Sequence, residues 1–151
     1  MRNKKHMLVL GIAATLFFGT VGVATSNTDV IKERQEAMSG VGEAMGALAG
    51  IAKGEAPFDA GVVAKNAGVI EGHLRDSGRL FPEGSGEGDI ETWAKPEIWA
   101  DYEDFVLKLE QSQASAGALK AVTEESAFRP VFGKLGDSCK ACHTDYRRPK
   151  N

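Results

Sequence analysis

Apolar residues recur at steps of three and four along most of this chain, and the pattern divides it into four stretches of helical period. From Thr28 to Ala52 they fall at Ile31, Met38, Val41, Met45, Leu48 and Ala52, the stripe of one helix face. Arg34 occupies the one vacancy in that spacing. Thr28 and Asp29 predict the start of this helix and Gly54 its stop. A second stripe, Val63, Ala67, Ile70 and Leu74, follows a cap at Asp59 and ends near Gly78. Pro96 opens a third helix at the first-turn position that proline favours. That helix carries Ile98, Trp99, Tyr102, Phe105, Val106 and Leu109 and fades through QSQASAG towards Val122. The fourth reads Phe128, Val131, Phe132, Leu135, Cys139, Cys142 and Tyr146. Thr123 is its expected cap, and Pro130 either kinks it or delays its start to about Ser126.

Between the second and third helices, FPEGSGEGDIETWAK has three glycines and no helical period, so it reads as one long loop. No segment of strand length alternates apolar and polar residues. The expected fold is therefore all-α, an antiparallel up-down-up-down four-helix bundle with short connections and one longer one.

Helix one contains Gly40, Gly42, Gly46 and Gly50, each costing about 1 kcal/mol relative to alanine in an exposed helix. Two gains would offset this. Small residues let a neighbouring helix come close within the bundle, or they let two chains pair as a homodimer through this helix.

The first 26 residues read as a transport address. Arg2, Lys4 and Lys5 precede the apolar run MLVLGIAATLFF, and small residues follow in GTVGVATS. The run is shorter than the roughly 20 apolar residues a membrane span takes. The expectation is a cleaved export signal over 1–26, cut after Ser26 or after Ala24, with export to the bacterial periplasm and one domain over 27–151. A membrane anchor is the lesser alternative. Beyond residue 26 the chain carries 15 basic and 21 acidic side chains, a balance that argues against nucleic acid or an anionic membrane as partner.

Both cysteines of the chain and one of its three histidines lie within five positions, Cys139-Lys140-Ala141-Cys142-His143. A disulfide across so short a loop removes little chain entropy and makes a poor staple. Three chemistries use this spacing: a redox dithiol, half of a zinc site, or thioether attachment of a haem whose iron takes the following histidine. On a helix all three side chains share one face directed into the bundle. A zinc site would need more ligands, and His73 is the only other nitrogen or sulfur donor of usual strength beyond residue 26. A redox dithiol belongs at a helix start after a strand, whereas this pair lies near a helix end. An export signal, an all-helical domain and CxxCH together favour a covalent haem c, one per chain, while zinc and dithiol stay open. Nothing in the chain points to acid-base or nucleophilic catalysis, and the chain reads as a non-enzyme. Glu33, Glu36 and Glu43 fall on the exposed side of helix one.

With the haem motif at the end of the fourth helix, the sequence resembles the cytochromes c′, the class II cytochromes c. The resemblance rests on DVIKERQEAM, KGEAPFD, LFPEGSGEGD, KPEIWAD and VFGKLGDSCKACHTDYRR, and it extends over the chain beyond the signal. It implies that Cys139 and Cys142 are the thioether attachment points and His143 the proximal iron ligand. Arg34 and Gln35 match the pair beside the haem propionates, which agrees with an arginine interrupting an apolar stripe where an unpaired guanidinium would be costly. Asp89 matches a position near the haem edge, although IETWA reads as an insertion there. Arg147 matches an arginine next to the proximal histidine. Met38 matches the distal position over the sixth site of iron. The resemblance favours an open site, five-coordinate high-spin iron that binds nitric oxide or carbon monoxide, transfers electrons to a redox partner, or both. The alternative is a low-spin electron carrier with Met38 bound to iron.

Overall fold

The structure, a computed structural model, describes residues 26–149. The export signal expected over 1–26 therefore lies outside the described residues, apart from Ser26. Four long helices and one short one follow: α1 (Asn27–Lys53), α2 (Ala60–Ser77), α3 (Glu97–Ala100), α4 (Tyr102–Lys120) and α5 (Glu125–Tyr146). A 3₁₀ turn, Gly78–Leu80, closes α2. The long helices α1, α2, α4 and α5 form the helical bundle expected from the pattern, with α1 packed on α2, α2 on α4 and α4 on α5.

Ser26 caps α1, accepting a hydrogen bond from the Asp29 amide at 3.2 Å. The helix thus starts earlier than the Thr28-Asp29 pair suggested. Gly54 ends it in the left-handed region, φ 79°, where its amide reaches back to the Gly50 and Ile51 carbonyls. Asp59 caps α2 through the Val62 amide at 2.8 Å, as its sequence predicted.

The third predicted helix is two. Pro96 leads α3, and the backbone then breaks at Asp101, φ −136° and ψ 68°. Asp101 turns its carboxylate onto the Asp104 amide at 3.2 Å and starts α4 afresh. Tyr102 is correspondingly exposed rather than part of the core. Helix α4 does not fade at QSQASAG: Ser112, Ala116 and Leu119 are buried. Ser112 is tolerated because its hydroxyl donates to the Lys108 carbonyl at 3.0 Å.

Thr123 does not cap α5. Glu124 holds that position without a side-chain hydrogen bond, and the helix starts at Glu125 and carries Pro130 inside it. Residue 130 has no amide hydrogen to give to the Ser126 carbonyl. Phe128, Leu48, Ile70, Leu119 and Leu135 are the largest side chains sealed within the main core.

Candidate functional site

Helical geometry through the end of α5 brings Cys139, Cys142 and His143 to one face, each half-buried. They border a cavity of about 590 Å³, within the range of cofactor sites. Its other walls include Arg34, Gln35 and Met38 on α1, Leu74 and Ser77 on α2, Phe105 and Leu109 on α4, and Phe81 and Trp93 in the long loop. Most of the lining is apolar, so the cavity suits a hydrophobic group.

Burial governs the titration of the three α5 residues. It pushes the Cys142 thiol up to about 11 and raises Cys139 as well. It also lowers His143, helped by the positive charge of Arg147. At neutral pH the site therefore presents two neutral thiols and a neutral imidazole. Dithiol exchange acts through a thiolate, which this environment disfavours. Among the described residues no group of three or more His, Cys, Asp and Glu side chains could hold a metal ion. His73, the one further donor, does not line the cavity; its imidazole lies against the Cα of Gly40 instead. The raised thiols argue against the dithiol reading, and the lack of further ligands among the described residues argues against the zinc reading.

Arg34 is 6% exposed. Its Nε donates to the Leu80 carbonyl at 2.5 Å, and its Nη2 donates to the Ser85 carbonyl at 2.6 Å and to Ser85 Oγ at 2.5 Å. The guanidinium also faces the rings of Phe81 and Trp99, 4.6 and 5.6 Å from their centroids. Desolvation lowers its pKa to about 10, so it keeps its charge at neutral pH. Nη1 alone is buried with no hydrogen-bond partner. A charged donor left unmatched in this way is expensive unless an anion in the adjoining cavity meets it.

The other sequence-predicted residues divide. Gln35 lines the cavity while its amide donates to the Glu91 carbonyl at 2.8 Å. Met38 lines it half-buried, packed against the core. Arg147 borders it at the surface, and its amide closes α5 on the His143 carbonyl at 3.1 Å. Asp89 does not reach it; the residue is exposed and pairs with Thr28.

Sequence reasoning did not find Ser85 or Trp93. Ser85 is fully buried although it lies between two glycines of a loop, and only a missing partner for Arg34 could have signalled it. Trp93 belongs to the stretch read as an insertion, yet it forms cavity wall. The segment is held by an antiparallel bridge, Ala94 to Arg147, with the Arg148 amide on the Trp93 carbonyl at 2.8 Å and the Lys95 amide on the Tyr146 carbonyl at 3.0 Å.

The family model for cytochrome c′ matches residues 29–147. The chain belongs to the cytochrome c′ family. It is 34% identical to a cytochrome c′ of Rhodopseudomonas palustris, over 93% of this chain and 95% of the relative. It is 33% identical to a cytochrome c-556 of Agrobacterium fabrum, over 92% and 95%. Among solved structures, cytochrome c′ from R. palustris superposes with a TM-score of 0.77 at 34% identity, covering 82% of this chain and 98% of the other. A nitric oxide complex of a variant cytochrome c′ from Alcaligenes xylosoxidans does so with a TM-score of 0.72 at 31% identity, covering 82% and 98%. Cytochromes c′ carry covalently bound haem c, and this chain is accordingly a haem protein. No described helix is long and apolar enough to cross a membrane.

Proposed function

We propose that Cys139 and Cys142 carry the two thioether bonds of one haem c, that His143 is the proximal iron ligand, and that the site binds small diatomic gases. Bound there, the group supplies one iron that takes up a gas molecule or an electron. The residues divide the remaining work. His143, kept neutral by burial and by Arg147, has a lone pair free for a metal. Arg34 offers its unmatched Nη1 to a propionate, and Gln35 ties the adjoining loop to α1. With haem bound, Met38 would give the cavity an apolar wall without a hydrogen-bond donor, and an iron that takes no ligand from it would be five-coordinate and high-spin. Such a wall disfavours water and dioxygen and admits nitric oxide or carbon monoxide. The nitric oxide complex of the Alcaligenes relative supports this reading.

The observation that carries the proposal is the orphaned Nη1 of buried Arg34, at the same cavity as two neutral thiols and a neutral imidazole. A second reading has its own support: the thioether of Met38 borders the cavity, and as a ligand it would make the protein a low-spin electron carrier. Neither role is enzymatic.

Export to the periplasm completes the proposal, and Ser26 bears on where the signal is cut. Cleavage after Ala24 keeps the α1 cap, whereas cleavage after Ser26 removes a contact of about 1 kcal/mol. Purification of the exported chain, extraction with acid acetone and mass measurement test attachment and cleavage together. Retained haem on a chain beginning at Asn27 or at Thr25 is expected; a pale polypeptide at bare mass would sink the thioether assignment. The ferric absorption spectrum then separates open from methionine-bound iron.

A further inference from the structure

His143 borders two spaces. One is the internal cavity, and the other is an open surface pocket of about 620 Å³ whose remaining wall is Lys95, Lys140, Thr144, Arg147, Arg148 and Pro149. Four of these seven residues are cations and none is an anion. The nearest carboxylate in sequence, Asp145, is engaged by Lys108. This cationic concentration occurs on a chain whose acidic residues outnumber the basic ones, so its sign opposes that of the molecule.

We propose that this pocket is the docking surface for an acidic face of a protein redox partner, which approaches the iron site along the His143 edge. The proposal rests on His143 being the iron ligand. The distribution of donors favours a broad acidic surface over a small chelated anion. Lys95 Nζ already donates to the Thr144 and Asp145 carbonyls, each at 3.0 Å, and Arg148 donates to the Thr92 carbonyl. Lys140, Arg147 and Arg148 are exposed. Charge is concentrated here, but no buried set of donors converges on one point. A diffuse positive field of this kind steers an approaching negative surface. His143 and Arg147 line both the surface pocket and the internal one, so the two spaces share a wall.

The test measures oxidation of the reduced holoprotein by ferricyanide as salt is varied. One electron leaves the ferrous protein and ferricyanide becomes ferrocyanide, with no bond made and no proton moved. Repulsion by the net negative charge alone would make this reaction faster as salt screens it. The pocket predicts the reverse, a slowing by about tenfold between 0.01 M and 1 M salt, as the screening length falls from about 30 Å to about 3 Å. Lys140→Gln should flatten the slope, whereas Lys53→Gln, the same charge change at a distant exposed site, should leave it as it was. A rate that rises with salt, or equal slopes in the two variants, overturns the docking surface. Failure of the underlying haem assignment reads differently: there would be no Soret band to follow.

Discussion

Tyr146, at the end of α5, donates its hydroxyl to Asp104 Oδ2 at 2.5 Å and so ties the cysteine-bearing helix to the first turn of α4. Lys108 extends the contact, reaching Asp104 at 3.1 Å and also Asp145. The Tyr146 ring packs edge-on against Phe105 at 5.3 Å, another wall of the cavity. A polar clasp therefore holds the helix end on which His143 lies.

Removing the hydroxyl tests that clasp. Tyr146→Phe keeps the ring and loses the bond, so its urea midpoint at pH 7 should lie below that of the parent. The hydrogen bonds from Tyr146 and Lys108 hold Asp104 below its ordinary value of 3.8. That contribution is present above 3.8 and is lost as pH falls through the depressed folded value. The Asp104 contact raises Tyr146 to about 12; this contribution is present below the ordinary phenol value of about 10 and is lost as pH rises through about 12. The gap between variant and parent should be flat through neutrality and close at both extremes. A gap that did not narrow at all as the pH is taken ever further below 3.8 would mean the charge on Asp104 does not matter.

Arg34 holds the long loop together as well as facing the cavity. Arg34→Met leaves the Leu80 and Ser85 acceptors buried without a donor, at a cost of about 1–3 kcal/mol. Arg34→Lys keeps the charge but lacks the planar fork, so it cannot serve Leu80 and Ser85 together and should recover only part of the loss. Urea unfolding gives the stability, and proteolysis within residues 81–95 reports the loop. Equal stability of Lys and Arg would show that charge alone suffices.

How much of this the sequence carried depends on whether the determining interaction leaves a mark on side-chain periodicity. The stripes of α1 and α2 were legible because burial selects residue type at every turn; Leu48, Val63 and Ile70 are sealed where the spacing put them. Arg34 was legible for the converse reason, a charge in an apolar register. Its partners were not, because they are mainly backbone carbonyls at Leu80 and Ser85, and any residue type supplies those. The break at Asp101 was hidden by a period that runs on through it, since Ile98, Phe105 and Leu109 keep helical spacing across the kink. The bridge between residues 94 and 147 is a long-range backbone pairing with no local signal.

Helix α1 puts its glycines to different uses. A Cβ at Gly40 would stand 2.5 Å from His73 Nε2, so there the missing side chain makes room for that imidazole. A Cβ at Gly46 would meet nothing within 4 Å, on an exposed face. Gly46→Ala should therefore stabilise an isolated chain by about 1 kcal/mol through helix propensity. Gly40→Ala should lose stability, and His73→Ala should relieve much of that loss in the double variant. If two chains pair through the Gly46 face of this helix, Gly46→Ala should instead weaken association, which sedimentation equilibrium reads directly.

Met38 decides between open iron and a closed electron carrier. It lies one turn beyond Arg34 on α1, borders the cavity and packs only partly into the core, so its loss should cost less than the about 2–5 kcal/mol of a fully buried methionine. An unligated Met38 acts by crowding: Met38→Ala leaves the ferric spectrum high-spin and speeds carbon monoxide binding by about tenfold, the equivalent of about 1.4 kcal/mol of steric relief. A ligating Met38 acts by coordination, so the parent is low-spin and the same replacement turns it high-spin. The spectrum of the parent and the direction of change on truncation thus read one side chain in two independent ways. A low-spin parent would retain the haem and its thioethers but remove the gas site, because a sulfur on the sixth position leaves a diatomic ligand nothing to bind without first displacing it.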